Sequence, residues 1–179
     1  MWGERTSMKL VAPTVEDIHR VGRALGESAQ PGDLVMLNGP LGAGKTTMTQ
    51  GIADGLEVTD HVSSPTFVIA QIHPGKYDLV HVDAYRLTSM EELDALDLDA
   101  SLADSVTVVE WGSGKVEALT GSRLEIDIER PTGADSGQVE LGADEPRTLT
   151  FRPVGPRGSA LAEAVYAKVA DLAVDRRVG

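Results

Sequence analysis

Gly39-Pro40-Leu41-Gly42-Ala43-Gly44-Lys45-Thr46-Thr47 is the stretch whose reading decides the fold. It satisfies G-x-x-x-x-G-K-[ST], the phosphate-binding loop of P-loop nucleotidases. The flanks agree with that motif. The apolar run Leu34-Val35-Met36-Leu37 precedes it and predicts a buried strand. Behind it, Met48, Ile52 and Leu56 recur at helical spacing, and Gly55 falls where such a helix should end. Strand, glycine-rich loop and helix form the geometry in which successive backbone N–H groups turn inward onto phosphate oxygens. The helix that follows adds the positive end of its dipole. Gly42, Ala43, Gly44, Lys45, Thr46 and Thr47 are the candidate nucleotide contacts. Lys45 is the point charge for the outer phosphates, and Thr46 is the hydroxyl for Mg²⁺. Pro40 has no N–H to give, but it precedes the amides expected to meet phosphate.

Working outward, two more apolar runs end in acids: Leu79-Val80-His81-Val82-Asp83 and Val106-Thr107-Val108-Val109-Glu110. In open α/β sheets, ligands bind beyond the carboxyl ends of the parallel strands. Asp83 is therefore the candidate Walker-B acid, sharing Mg²⁺ with Thr46. Glu110 has three possible roles: it orders the attacking water, joins the Mg²⁺ shell, or is a surface carboxylate. Trp111 either stacks on a base or partner, or is a half-buried anchor. Thr66 is either a γ-phosphate sensor acting through Mg²⁺ or an ordinary turn threonine. His81 fits a satisfied core histidine. Arg86 touches phosphate, pairs with Glu91 or Glu92, or does neither.

The rest of the chain frames these strands. Residues 1–7 read as a loose end, and Met8 to Val11 as a short strand. Thr14-Val15-Glu16-Asp17 resembles a capping box, followed by Ile18, Val21 and Leu25 on one helical face. Gln30-Pro31-Gly32-Asp33 is a turn. A strand is expected within Val62 to Ala70, punctuated by His73-Pro74-Gly75-Lys76. Thr88-Ser89-Met90-Glu91 opens a helix, and the acidic stretch to Asp99 continues as short helical turns. Leu124, Ile126 and Ile128 alternate with acids, which predicts a strand with one wet face, antiparallel and toward a sheet edge. Gln138 to Leu141 and Thr148 to Phe151 are expected to pair as a hairpin. Residues 131–137 read as a loop. A C-terminal helix starts behind Ser159 and carries Leu161, Val165, Val169 and Leu172. The expected fold is α/β: a P-loop NTPase-like sheet with parallel core strands, antiparallel edge strands and flanking helices. One domain, 1–179, holds it, since no repeat or dividing linker is present.

Composition narrows the function. No cysteine is present, which excludes disulfides, thiolate catalysis and cysteine metal sites. No leader pattern or membrane-length apolar run is visible, so a soluble cytoplasmic protein is expected. The net charge of −12 is the wrong sign for gripping nucleic acid unaided.

Taken together, Gly39 to Thr47, Ser64-Pro-Thr-Phe67, His81-Val-Asp-Ala-Tyr-Arg-Leu87, Glu91-Glu-Leu93 and Val109-Glu-Trp111 resemble the TsaE (YjeE) ATPases of bacteria. The order and spacing fit from about residue 8 to 130. The Pro-Thr-Phe and Asp-x-Tyr-Arg elements make the likeness specific. Pro40 stands where an acid is often found, and the tail beyond Pro131 carries no matching motif. The resemblance implies a role in making threonylcarbamoyladenosine beside the anticodon of tRNAs. It implies an ATPase, using ATP and Mg²⁺, that supports turnover by a TsaB–TsaD complex without itself transferring the threonylcarbamoyl group. It assigns Lys45 and Thr46 to phosphate and Mg²⁺, Asp83 to Walker B, Thr66 to the switch threonine, and Glu110-Trp111 to a further site pair. tRNA would then be held through the partners, in keeping with the acidity.

Two alternatives remain at this level. A small-molecule P-loop kinase would use Asp83 or Glu110 as a base. It usually needs an arginine-rich lid, and Arg86 is the single arginine between the loop and Glu110. A nucleotide-dependent scaffold would bind ATP without useful hydrolysis. A GTPase is disfavoured because no Asn-Lys-x-Asp guanine motif occurs.

Overall fold

A computed structural model describes residues 7–40, 42–62, 70–83, 102–110, 121–130 and 145–173. Its strands are β1 (Met8–Ala12), β2 (Leu34–Asn38), β3 (Ala70–His73), β4 (Asp78–Asp83), β5 (Ser105–Glu110), β6 (Arg123–Glu129) and β7 (Arg147–Val154). The helices described are α1 (Val15–Ser28), α2 (Lys45–Gly55) and α3 (Gly155–Lys168), with a 3₁₀ turn at Ala170–Leu172.

The strands form one sheet in the order β1-β7-β6-β2-β5-β4-β3. β6, β2, β5 and β4 are mutually parallel, and β7, β1 and β3 add antiparallel margins. The expected α/β architecture is therefore present. β2 and β5 are buried nearly end to end. Side chains fill both faces of such inner parallel strands, so their sequences read as continuous apolar runs. One face carries the main core, where Val35, Leu37, Val106, Val108 and Leu79 meet Ile18, Leu25, Met48 and Ile52.

α1 begins where its sequence says it should. The Thr14 hydroxyl accepts from the Asp17 amide at 3.2 Å and donates to the Asp17 carboxylate at 2.9 Å. α1 and α2 then cross at backbone contact. A Cβ on Gly22 would lie 2.2 Å from the Met48 carbonyl, and one on Gly51 would lie 2.2 Å from the His19 carbonyl. Gly26 and Gly55 repeat the arrangement one turn along, at 2.2 and 2.4 Å. Glycines four apart on both helices thus bring α1 onto the helix that carries Lys45. α3 lies on β6 and β7 and also meets α1.

Three expectations are corrected. The alternating segment at Leu124 is not an edge strand: β6 pairs parallel with β2 and antiparallel with β7. Its alternation reports one wet face, which an inner strand also shows when only one face is covered. Thr148 to Phe151 belongs to the longer β7, which pairs with β6 and β1. The C-terminal helix starts at Gly155 rather than behind Ser159, because Pro156 is well suited to a first helical turn. It ends at Lys168, which leaves Leu172 in the 3₁₀ turn. Residue 41 and the segments 1–6, 63–69, 84–101, 111–120, 131–144 and 174–179 lie outside the described residues. The expectations for the loose end, the strand within Val62 to Ala70, the Thr88 helix and the acidic turns to Asp99, the loop 131–137, Gln138 to Leu141, Thr66, Arg86 and Trp111 therefore fall outside them wholly or nearly so.

Candidate functional site: a glycine-rich loop beside two carboxylates

The loop leaves β2 after Asn38 and enters α2 at Lys45. It turns tightly: the Ala43 amide donates to the Pro40 carbonyl at 3.0 Å. Gly42 and Gly44 take φ of 79° and 121°, backbone conformations that side-chain-bearing residues resist. At Gly44 space is short as well, since a Cβ would lie 2.9 Å from Ile18 Cδ1. Gly44 stands at the N-cap of α2 and has no side chain with which to cap its first turn. Its leading N–H groups and dipole end therefore face the loop without a carboxylate or hydroxyl to satisfy them from the capping position.

Lys45 is buried, and its Nζ donates to the carbonyls of Gly39 at 2.7 Å and Pro40 at 3.1 Å. Burial lowers its pKa, while the carboxylates of Glu110 and then Asp83 pull it back up. That coupling brings the loop lysine and both strand-end acids into one electrostatic unit. The sheet register explains the meeting. Asp83 of β4 stands opposite Glu110 of β5, and Glu110 stands opposite Leu37 at the end of β2. Thr46 and Thr47, in the first turn of α2, are half-buried.

Glu110 is only 4% exposed, which removes the surface-carboxylate alternative. Its partner is His81, whose Nε2 lies 2.5 Å from Glu110 Oε2. His81 Nδ1 is buried without a hydrogen-bond partner among the described residues. A proton on Nε2, donated to the carboxylate, is the tautomer that suits both nitrogens. His81 is thus a core histidine that fixes one oxygen of Glu110. Its position two residues before Asp83, on the same strand face, was the signal that could have revealed the pairing.

No group of three or more His, Asp or Glu stands ready as a metal cage among the described residues. Mg²⁺ does not require one. It is commonly held by one or two carboxylates, a hydroxyl, waters and the substrate's own phosphates. Thr46, Asp83 and Glu110 are oxygen donors of that kind.

One neighbour of the loop carries no sequence motif. Arg147, the first residue of β7 and 2% exposed, donates from Nε to the Ala43 carbonyl at 2.9 Å. Its Nη2 reaches the Gly42 carbonyl at 3.3 Å, and its Nη1 the Glu145 carbonyl at 2.8 Å.

Comparison with known proteins gives a consistent result. A family model described as "Threonylcarbamoyl adenosine biosynthesis protein TsaE" matches residues 12–138. Proteins named "tRNA threonylcarbamoyladenosine biosynthesis protein TsaE" are similar across most of the chain. The one from Streptomyces coelicolor is 50% identical over 154 residues, covering 84% of this chain and 99% of the relative. The one from Mycobacterium tuberculosis H37Rv is 46% identical over 134 residues, covering 69% and 80%. The one from Bacillus subtilis is 37% identical over 150 residues, covering 83% and 87%. A solved structure described as "Crystal structure of Bacillus subtilus YdiB" superposes with a TM-score of 0.67 at 30% identity, covering 90% of this chain and 95% of that one.

Proposed function

The chain belongs to the TsaE family, and on that premise we propose that it is a P-loop ATPase acting in the formation of threonylcarbamoyladenosine in tRNA. The observation that carries the ATPase reading is the meeting of Lys45 with Asp83 and Glu110 at the mouth of a glycine-turned, uncapped helix. A loop built only to connect β2 to α2 has no use for a buried ammonium beside the strand ends that carry Glu110 and Asp83.

The roles follow from position. The loop from Gly42 to Thr47, through its amides not already bonded within the turn, and the α2 dipole bind polyphosphate, and Lys45 places a compact positive charge on the outer phosphates. Thr46 and Asp83 hold Mg²⁺, which when bound neutralises charge on the phosphates. Glu110, with one oxygen fixed by His81, has the other available to orient and polarise a water or to complete the Mg²⁺ shell. Thr66 is the proposed switch threonine and Trp111 the proposed companion of Glu110 at the nucleotide.

ATP is the proposed substrate, and a TsaB–TsaD complex is the proposed partner whose turnover the ATP cycle supports. tRNA is reached through that complex, since a net charge of −12 repels phosphate. No helix among the described residues is long and apolar enough to cross a membrane. The cytoplasm, where tRNA is modified, is the proposed location.

The test is Mg-ATP affinity and turnover, each with and without TsaB–TsaD. Lys45→Ala should weaken ATP binding by about tenfold or more through loss of a charge-assisted contact. Wild-type turnover should be slow alone and rise with the partners. Unchanged affinity in Lys45→Ala would overturn the site. Transfer of phosphate to an added acceptor would identify a kinase, and absent turnover under both conditions a scaffold.

A further inference from the structure

We propose that Arg147 is a positioning residue of the phosphate loop, so that the C-terminal strand takes part in nucleotide binding. The inference rests on the nucleotide reading of the loop given above. Its ground is the direction of two peptide planes. The guanidinium holds the carbonyls of Gly42 and Ala43 from outside the loop. In a trans peptide the carbonyl and the following N–H point in opposite directions, and no cis peptide is present among the described residues. Fixing the Gly42 carbonyl turns the Ala43 N–H away from Arg147, into the bond with Pro40 that closes the turn. Fixing the Ala43 carbonyl turns the Gly44 N–H away from Arg147 as well.

The residue type fits this task. Arginine presents donors in a rigid planar fork, which here spans the carbonyls of Gly42, Ala43 and Glu145. A lysine would bring the charge without the fork. The side chain is itself held in place. Glu145 Oε1 lies 3.1 Å from Arg147 Nη1 and accepts from Arg130 Nε at 2.6 Å. Burial pushes the Arg147 pKa down, Glu145 opposes that, and the guanidinium stays charged. Its positive charge therefore sits directly behind the loop in a dry environment, where it adds to the potential that attracts polyphosphate. Arg147 lies beyond the span 12–138 matched by the family model, and no local pattern singles it out.

Arg147→Met and Arg147→Lys test the inference, with Mg-ATP affinity and the urea midpoint measured in the cold on the full chain. Arg147→Met should raise the ATP Kd by about tenfold. Arg147→Lys should fall between Arg147→Met and wild type, since it keeps the charge and loses the fork. A merely structural arginine would lower the urea midpoint and leave the Kd of the folded protein unchanged. Wild-type Kd in the folded variants overturns the inference. If Arg147→Met does not fold, Arg147→Lys decides by the same criterion. If wild type binds no Mg-ATP and Lys45→Ala changes nothing, the nucleotide reading itself falls.

Discussion

Replacing Gly51 with alanine sets two effects of opposite sign against each other. Gly51 lies inside α2, where alanine is the better helix former by about 1 kcal/mol. Its missing side chain, however, is where α1 passes. The new Cβ would lie 2.2 Å from the His19 carbonyl, 3.0 Å from the Arg23 nitrogen and 3.1 Å from Gly22 Cα. All three are backbone atoms, so no rotamer change relieves the overlap, and the helices would have to part by about an ångström. That parting loosens the matching contacts at Gly22, Gly26 and Gly55. Overpacking of this kind costs about 1–3 kcal/mol, and contact with backbone puts it near the upper end. Net destabilisation of about 2 kcal/mol remains after the helix-propensity gain, a fall in Tm of about 4–8 °C for a chain of this size. The assay is urea and thermal unfolding followed by circular dichroism, with Gly121→Ala as control. Gly121 is exposed, and nothing stands within 4 Å of its added Cβ. Gly51→Ala as stable as wild type, or more so, would show that α1 and α2 do not meet through their backbones.

Three further outcomes follow from named contacts. Glu110→Gln should keep ATP affinity, because Lys45 and the loop amides remain, and lose about 100-fold in hydrolysis, roughly 2.7 kcal/mol; near-normal turnover with partners present would remove Glu110 from the chemistry. Arg157→Met should cost about 2 kcal/mol, because it leaves Asp33, 3% exposed, without the two bonds at 2.9 and 2.6 Å that the guanidinium donates; an unchanged urea midpoint would refute this. Asp171 is exposed, and its hydrogen bond with Arg20 holds its pKa below the ordinary 3.8. Whatever stability it adds is thus present above that pH and lost on further acidification. Asp171→Asn should leave the neutral-pH urea midpoint where it was, and a clear drop would show that this surface pair matters more than its exposure allows.

The parts legible in the sequence were those written locally. The loop, β2 and the Thr14 cap each occupy a few consecutive residues whose chemistry admits one structure. β6 shows the limit of periodicity: its alternation was real, but a period of two reports which face is wet and not whether neighbours stand on both sides. The glycines of α1 and α2 were visible at a spacing of four in each helix. Their meaning depends on the two helices crossing, which neither segment states alone. His81 was read as core, which it is, but the carboxylate it holds lies on another strand. Arg147 was out of reach, because its contact joins residues 104 positions apart and an isolated arginine has no signature.

β7 is the last of the described strands in the chain, yet it lies between β1, the first, and β6. A ribosome delivers β1 long before its sheet neighbour. Until the strand beginning at Arg147 emerges, Met8–Ala12 has no ladder to join, and β6 keeps an open edge on the side that β7 will take. Closing this sheet therefore requires contacts between opposite ends of the sequence, the kind of pairing that slows folding and prolongs exposure of unpaired edges. A nascent chain stalled before Arg147 would already contain every residue of the phosphate motif, but it would have neither a partner for β1 nor the guanidinium that grips Gly42 and Ala43.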